Sequence, residues 1–145
     1  MRKALLDFFL LFSFNSYGAG AKIEIPKYDW SRKGFFGTYD RASAQRGLKV
    51  YREVCAGCHS MNYLAYRNLG DLGFSEDHIK AIAAEHLILD GPDDEGEMFE
   101  RDGIPSDQFA NPYPNVKAAR AANNGAYPPD LSLIVKARPK GADYV

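Results

Sequence analysis

The stretch YREVCAGCHSM, residues 51–61, holds both cysteines of the chain and one of its three histidines. No other feature constrains the fold as much, because two thiols and an imidazole in Cys55-Ala56-Gly57-Cys58-His59 suit few chemistries. Two residues between the thiols set the sulfurs at a separation that matches two vinyl groups of one porphyrin. The next residue brings an imidazole beneath the iron, which is the attachment pattern for a c-type haem. A disulfide across the pair would leave His59 without a role. A thioredoxin-like motif needs a strand–helix–strand context, and a structural zinc needs four ligands, whereas the chain has no second pair of thiols. A domain built around haem c, with His59 as an iron ligand, is the expectation.

The 145 residues, 46% hydrophobic and 26% charged, suit one globular domain of about the commonest size. A net charge of −1 conceals an asymmetry. Residues 22–67 carry nine bases and four acids, whereas residues 71–107 carry two bases and twelve acids. An acidic run is usually a solvated surface, but it also makes a field that steers a basic partner. No basic cluster with interleaved aromatics points to nucleic acid. Residues 1–21 read as an export signal: a basic Met1-Arg2-Lys3 start, an apolar run from Ala4 to Phe14, and Ala19-Gly20-Ala21 as a small-residue cleavage site. That apolar run is about half of the ~20 residues that a membrane-spanning helix needs. The domain itself is expected over 22–145.

Along the chain, residues 25–40 read as an aromatic, Gly- and Pro-rich wrapping loop. A helix is expected over 41–54, capped by Asp40 or Thr38, with Ala44, Leu48, Tyr51, Cys55 and Cys58 forming a stripe that ends in the thiols. A second helix is expected from Ser75 to about Leu89, with Ile79, Ile82, Ala83, His86 and Leu87 on one face. Residues 90–115 read as a long turn-rich loop, and 116–125 as an Ala-rich helix with Gly125 at C′. A last helix is expected between an Asp130 cap and Pro139. No alternating strand pattern of useful length is visible. His86, on the apolar face, reads as a satisfied core or boundary histidine rather than a metal ligand, and His78 as a surface one. Of the thioethers, Met1 belongs to the signal, Met61 lies too close to His59 to reach the opposite face of a porphyrin, and Met98 suits packing in the acidic loop.

Three blocks, YDRASAQRGLKVYREVCAGCHSMNYLAYRNL, DGPDDEGEMFERDGIPSDQFANPYPN and AARAANNGAYPPDLSLIVKARPKGADYV, strongly resemble the cytochrome c1 family. These are the haem subunits of the ubiquinol–cytochrome c oxidoreductase (cytochrome bc1) complex. The resemblance runs from about Trp30 to Val145 and is carried most specifically by ANNGAYPPDLS. It implies a mostly α fold, a cytochrome c-like helical haem domain with a long acidic loop insertion. It implies that Cys55 and Cys58 hold one covalent haem c and that His59 is its proximal ligand. The carbonyl of Pro128 or Pro129 would accept from the far nitrogen of His59. Asn123, Ala126, Leu131 and Ile134 would line the pocket, and Arg138 and Tyr144 would meet a propionate. The spacing of Leu131, Ile134 and Arg138 independently fits one helical face, an apolar wall ending in a guanidinium.

By the same resemblance the function is electron transfer, from a Rieske iron–sulfur protein to a soluble cytochrome c, beside cytochrome b, on the periplasmic face of a bacterial inner membrane. Asp90, Asp93, Asp94, Glu95 and Glu97 are the candidate docking acids. Within the family a methionine ligand and a C-terminal membrane anchor follow GADYV, where this sequence stops, so an incomplete domain is expected. Two alternatives follow from that expectation: a haem protein with an open distal site that binds small ligands or has weak peroxidase activity, and a non-functional fragment.

Overall fold

Asp40 starts the first helix of the computed structural model, which describes residues 24–145. The export signal expected at 1–21 lies outside the described residues. The Asp40 carboxylate accepts from the Ala42 N–H at 3.0 Å, and α1 runs Arg41–Val50 with Lys49 complementing the dipole in its last turn. The chain then widens into a π-helical turn, Tyr51–Cys55, closed by Ala56 N donating to the Tyr51 carbonyl at 2.8 Å. The expected helix is therefore present, but its last turn holds an extra residue, a feature common at functional sites. The stripe survives as far as half-buried Cys55, with Tyr51 buried and Leu48 packed on the core; Cys58 falls off it and is exposed.

A 3-10 helix, Tyr66–Leu72, supplies the two most deeply buried large side chains, Tyr66 and Leu69. Asn68 Oδ1 accepts from Ala65 N at its start, and Gly73 ends it at φ 89°, a conformation that glycine adopts without steric cost. Ser75 caps α2, Glu76–Ala84, by accepting from His78 N, and Glu76 and Asp77 sit in its first turn. Ile79, Ile82 and Ala83 face Tyr66 and Leu69, and Phe109 closes the cluster edge-on to Tyr66, with ring centroids 4.8 Å apart. Each such large side chain contributes about 1.5–3 kcal/mol by leaving water.

The structure departs from the sequence reading after Ala84. The expected helix to Leu89 stops there. Leu87–Asp90 is instead strand β1, antiparallel to β2, Phe99–Asp102, with Ile88 opposite Arg101. His86 and Leu87 are consequently exposed, off the apolar face. The turn is forced by a close approach: Gly103 N donates to the His86 carbonyl at 2.9 Å, and a Cβ on Gly103 would lie 2.5 Å from the Ala83 carbonyl oxygen. The hairpin is anchored by Arg101. Its guanidinium contacts Asp90 and grips both carboxylate oxygens of Asp107, at 2.7 and 3.0 Å. That fork geometry matches a carboxylate on two parallel bonds.

Helix α3, Val116–Ala122, is capped by Asn115, whose Oδ1 accepts from Ala118 N. Asn124, at φ 51°, takes the C′ position expected for Gly125, and Gly125 follows with its N–H on the Arg120 carbonyl at 2.7 Å. The last α-helix is shorter than expected: α4 is Ile134–Ala137, followed by a 3-10 turn, Gly141–Tyr144. The aromatic segment expected to wrap does return across the chain, with Trp30 Nε1 donating to Asp143 Oδ1 at 2.6 Å. The architecture is mostly α with one short hairpin. No helix among the described residues is long and apolar enough to cross a membrane.

Hydrogen bonding from Arg101 holds the Asp107 carboxyl below its usual range. A folded pKa below the unfolded one adds stability that is present above the unfolded value and lost as pH falls through the folded value. Urea midpoints of the wild type should therefore hold from neutral pH to pH ~5 and fall as pH drops through ~4 and below. Asp107→Asn should lower the neutral midpoint and flatten that acid dependence.

Candidate functional site

Cys55 ends the π-helical turn, and its carbonyl accepts from both Cys58 N at 3.1 Å and His59 N at 2.9 Å. The five-residue motif therefore closes into a single turn. Both cysteines are free thiols, Cys55 half-buried and Cys58 exposed. Among the described residues no group of three or more His, Cys, Asp or Glu gathers to hold a bare metal ion.

The imidazole of His59 is oriented by the Pro129 carbonyl, 2.8 Å from Nδ1. A carbonyl can only accept, so Nδ1 carries the proton and Nε2 the lone pair. This is the tautomer that ligates a metal through Nε2, and a carbonyl on the far nitrogen raises the basicity of such a ligand. No hydrogen bond to Nε2 is made among the described residues. Two unbridged thiols beside an imidazole in that state are the donor set a covalent haem requires, so the residues present fit the group.

The backbone of His59 is held as well. Tyr51 donates its hydroxyl to the His59 carbonyl at 3.2 Å. Burial, reinforced by the Asp130 charge, pushes the Tyr51 hydroxyl up to about 12. Beyond His59, residues 60–63 run beside 130–132. Asp130 Oδ2 accepts from Ser60 Oγ at 2.9 Å and Asn62 N at 2.8 Å, and its Oδ1 accepts from Ser132 N at 2.8 Å. Leu131 N donates to the Ser60 carbonyl, and Tyr63 N to Ser132 Oγ. Burial alone would raise the Asp130 carboxyl, but the bonds from Ser132, Asn62 and Ser60 outweigh it and hold the group below its usual range. Asp130 was expected only as a helix cap, and α4 begins four residues later.

The other expected pocket residues are partly gathered. Ile134 and Arg138 line a cleft of about 390 Å³ with Pro129, Leu133 and Ala137, within the range of ligand sites. Leu131 lies outside it, because α4 starts only at Ile134 and Arg138 has already turned extended. The expected three-residue face is thus realised by two. The Arg138 guanidinium lies over the Tyr144 ring at 5.4 Å. Pro128 joins Cys58 along a smaller cleft of about 140 Å³. Asn123 commits its amide to Tyr113 Oη and the Ala119 carbonyl, and Ala126 is exposed. A further cleft of about 490 Å³, between α1 and the Tyr66–Phe109 pair, is lined by neither thiol nor His59.

The acidic residues divide into two groups. Asp90 is paired with Arg101, whose hydrogen bond lowers its pKa, and Asp93 Oδ1 accepts from Glu95 N and Glu97 N to build the hairpin turn. Asp94, Glu95 and Glu97 are exposed and make no ion pair among the described residues. His86 is not a core histidine; it is exposed, its ring stacked on Tyr66 at 6.0 Å. His78 is exposed, Met61 packs on the core and Met98 is exposed on the hairpin.

Residues 30–145 match the model of the Cytochrome C1 family. Over 123 residues the chain is 56% identical to cytochrome c1 of Rhodospirillum rubrum, covering 85% of this chain and 45% of that protein. It is 55% identical to "Cytochrome c1-2, heme protein, mitochondrial" of Solanum tuberosum, covering 85% of the chain and 47% of the relative. It is 53% identical to the "Cytochrome b-c1 complex catalytic subunit, mitochondrial" of Candida albicans, covering 83% and 42%. The chain spans less than half the length of these relatives.

Removing the Tyr51 hydroxyl should cost about 0.5–1.5 kcal/mol, one net hydrogen bond. A raised folded pKa gives stability that is complete below the unfolded value of about 10 and lost as pH rises toward the folded one. Chemical denaturation from neutral pH to pH ~12 should show that decline in the wild type and less of it in Tyr51→Phe.

Proposed function

The chain belongs to the cytochrome c1 family, and from that premise we propose that it carries a covalent haem c as the electron-transfer subunit of a cytochrome bc1 complex. The observation that carries this reading is the His59 tautomer, Nδ1–H on the Pro129 carbonyl with Nε2 left to donate, beside two free thiols. Haem bound there supplies reversible one-electron exchange at iron, with no substrate bond made or broken. Cys55 and Cys58 would hold the haem covalently through their two sulfurs and so keep it on the chain. His59 Nε2 would be the nitrogen ligand to the iron, and the Pro129 carbonyl would sharpen its donor strength by holding the Nδ1 proton.

The remaining residues shape the surroundings. Ile134, with Leu133 and Ala137, would supply apolar surface beside the Pro129 carbonyl, while Leu131, Asn123 and Ala126 stand outside that cleft. Arg138, braced by the Tyr144 ring, offers a fixed cation to a propionate. A steady cation and a dry wall both act on the potential, because each changes what a unit of charge at the iron costs. In the complex the donor is the Rieske protein, cytochrome b is the neighbour, and soluble cytochrome c is the acceptor. This places the domain on the periplasmic face of a bacterial inner membrane or the equivalent mitochondrial face. The exposed acids Asp94, Glu95 and Glu97 at the hairpin tip supply the field for a basic acceptor, with Asp90 and Asp93 shaping the tip that bears them.

Protein from a host that matures c-type cytochromes should retain its colour and the added mass of one haem after acidified acetone extraction. The double variant Cys55→Ser/Cys58→Ser should release the colour. A colourless wild type of unchanged mass overturns the reading. For docking, stopped-flow oxidation by a basic cytochrome c should slow steeply as salt rises from 10 to 200 mM, roughly where the Debye length falls from 30 to 8 Å. Neutralising Asp94, Glu95 and Glu97 should lower the on-rate and flatten the salt slope; an unchanged rate removes these acids from the interface.

A further inference from the structure

Among the described residues one hydrogen bond reaches the His59 ring, and the group that accepts it is a main-chain carbonyl, which has no side chain of its own to hold it in place. Its position depends on the residue that follows. Asp130 gathers three donors from two segments about seventy residues apart: Ser60 Oγ and Asn62 N on the ligand side, Ser132 N on its own side. Ser60 is buried, at 7% exposure, and its carbonyl also receives Leu131 N. The residues that follow His59 and Pro129, Ser60 and Asp130, are thus bonded to each other, and Leu131 adds a second bond between the same two segments. We propose that Asp130 is a positioning residue for the haem ligand: its carboxylate locks the 129–132 loop to the residues after His59, so that the Pro129 carbonyl stays on Nδ1 and Nε2 keeps one orientation.

The role requires a carboxylate. Both Asp130 oxygens accept, and an asparagine can present only one acceptor, leaving either Asn62 N or Ser132 N facing an NH₂ group. A glutamate keeps the charge but moves the oxygens one methylene further out. The inference rests on the haem reading above, and concerns what holds the ligand rather than what the ligand holds.

The test is hydrogen exchange of the His59 Nδ1 proton, read by NMR in the haem-loaded full chain, together with the midpoint potential. Asp130→Asn and Asp130→Glu should each speed exchange about tenfold, the factor that loss of one net hydrogen bond gives. Asp130→Asn should also raise the potential, since a weaker donor and a lost negative charge both favour ferrous iron. Asp107→Asn, which weakens the hairpin far from this network, should leave exchange at the wild-type rate. Where Asp130→Asn fails to retain haem, Ser60→Ala, which removes one bond and no charge, should still speed exchange severalfold. Wild-type exchange in Ser60→Ala and in whichever Asp130 variants hold haem overturns the proposal, as does fast exchange in Asp130→Asn with a wild-type rate in Asp130→Glu, which reduces the residue to a charge. A colourless wild type would instead sink the haem reading, so the two failures are distinguishable.

Discussion

The hydrogen bond from His59 Nδ1 to the Pro129 carbonyl is the contact on which the site depends. It selects the tautomer, and the tautomer decides whether the imidazole offers iron a lone pair or a proton. A carbonyl is suited to that task because it has no donor state, and so cannot accept the wrong tautomer. Proline lacks an N–H, which removes a competing donor from the loop, and its ring fixes φ, so little conformational freedom remains to be lost when the bond forms. The same bond joins the two ends of the described chain, since residue 59 follows α1 and residue 129 follows α3.

That junction is stable only because the segments leading to it are rigid for separate reasons. On one side, Tyr51 is buried against Phe109 and bonds the His59 carbonyl, coupling the motif to the Tyr66–Leu69–Ile79–Ile82 cluster. On the other, the left-handed Asn124 and the bond from Gly125 to Arg120 end α3 sharply and send the chain toward Tyr127–Asp130. The π-helical turn lies between the core and the thiols. The turn ends at Cys55, and Cys58 lies past it, off the stripe that Leu48 and Tyr51 begin, and is exposed.

The hairpin shows a similar division of labour. Arg101 gathers Asp90 and Asp107, which would otherwise add to the negative field, and converts them into an anchor. Asp93 is spent on the turn. What remains exposed at the tip is a compact set of three carboxylates on a braced loop, a better source of a directed field than the same charges on a mobile tail. A long acidic stretch is therefore part scaffold and part surface, and composition alone does not separate the two.

Much of the site was legible from the sequence because its core is local. Cys55, Cys58 and His59 are near neighbours in the chain, and their spacing states the chemistry whatever surrounds them. The caps Asp40 and Ser75 and the faces of α1 and α2 were readable for the same reason, since each depends on residues three or four apart. The hairpin was not. Leu87–Asp90 continues a helical spacing of apolar residues, and only the approach of Gly103 to the end of α2, sixteen residues further on, turns it into a strand. Asp130 likewise reads in the sequence as the cap of its own helix, while its partners Ser60 and Asn62 lie about seventy residues earlier. The sequence by itself thus determined which atoms can bind, because bonded spacing is written in the chain. Only the tertiary structure decided which carbonyl and which carboxylate hold those atoms in place, because hydrogen bonds between distant segments exist only after the core has brought the segments together.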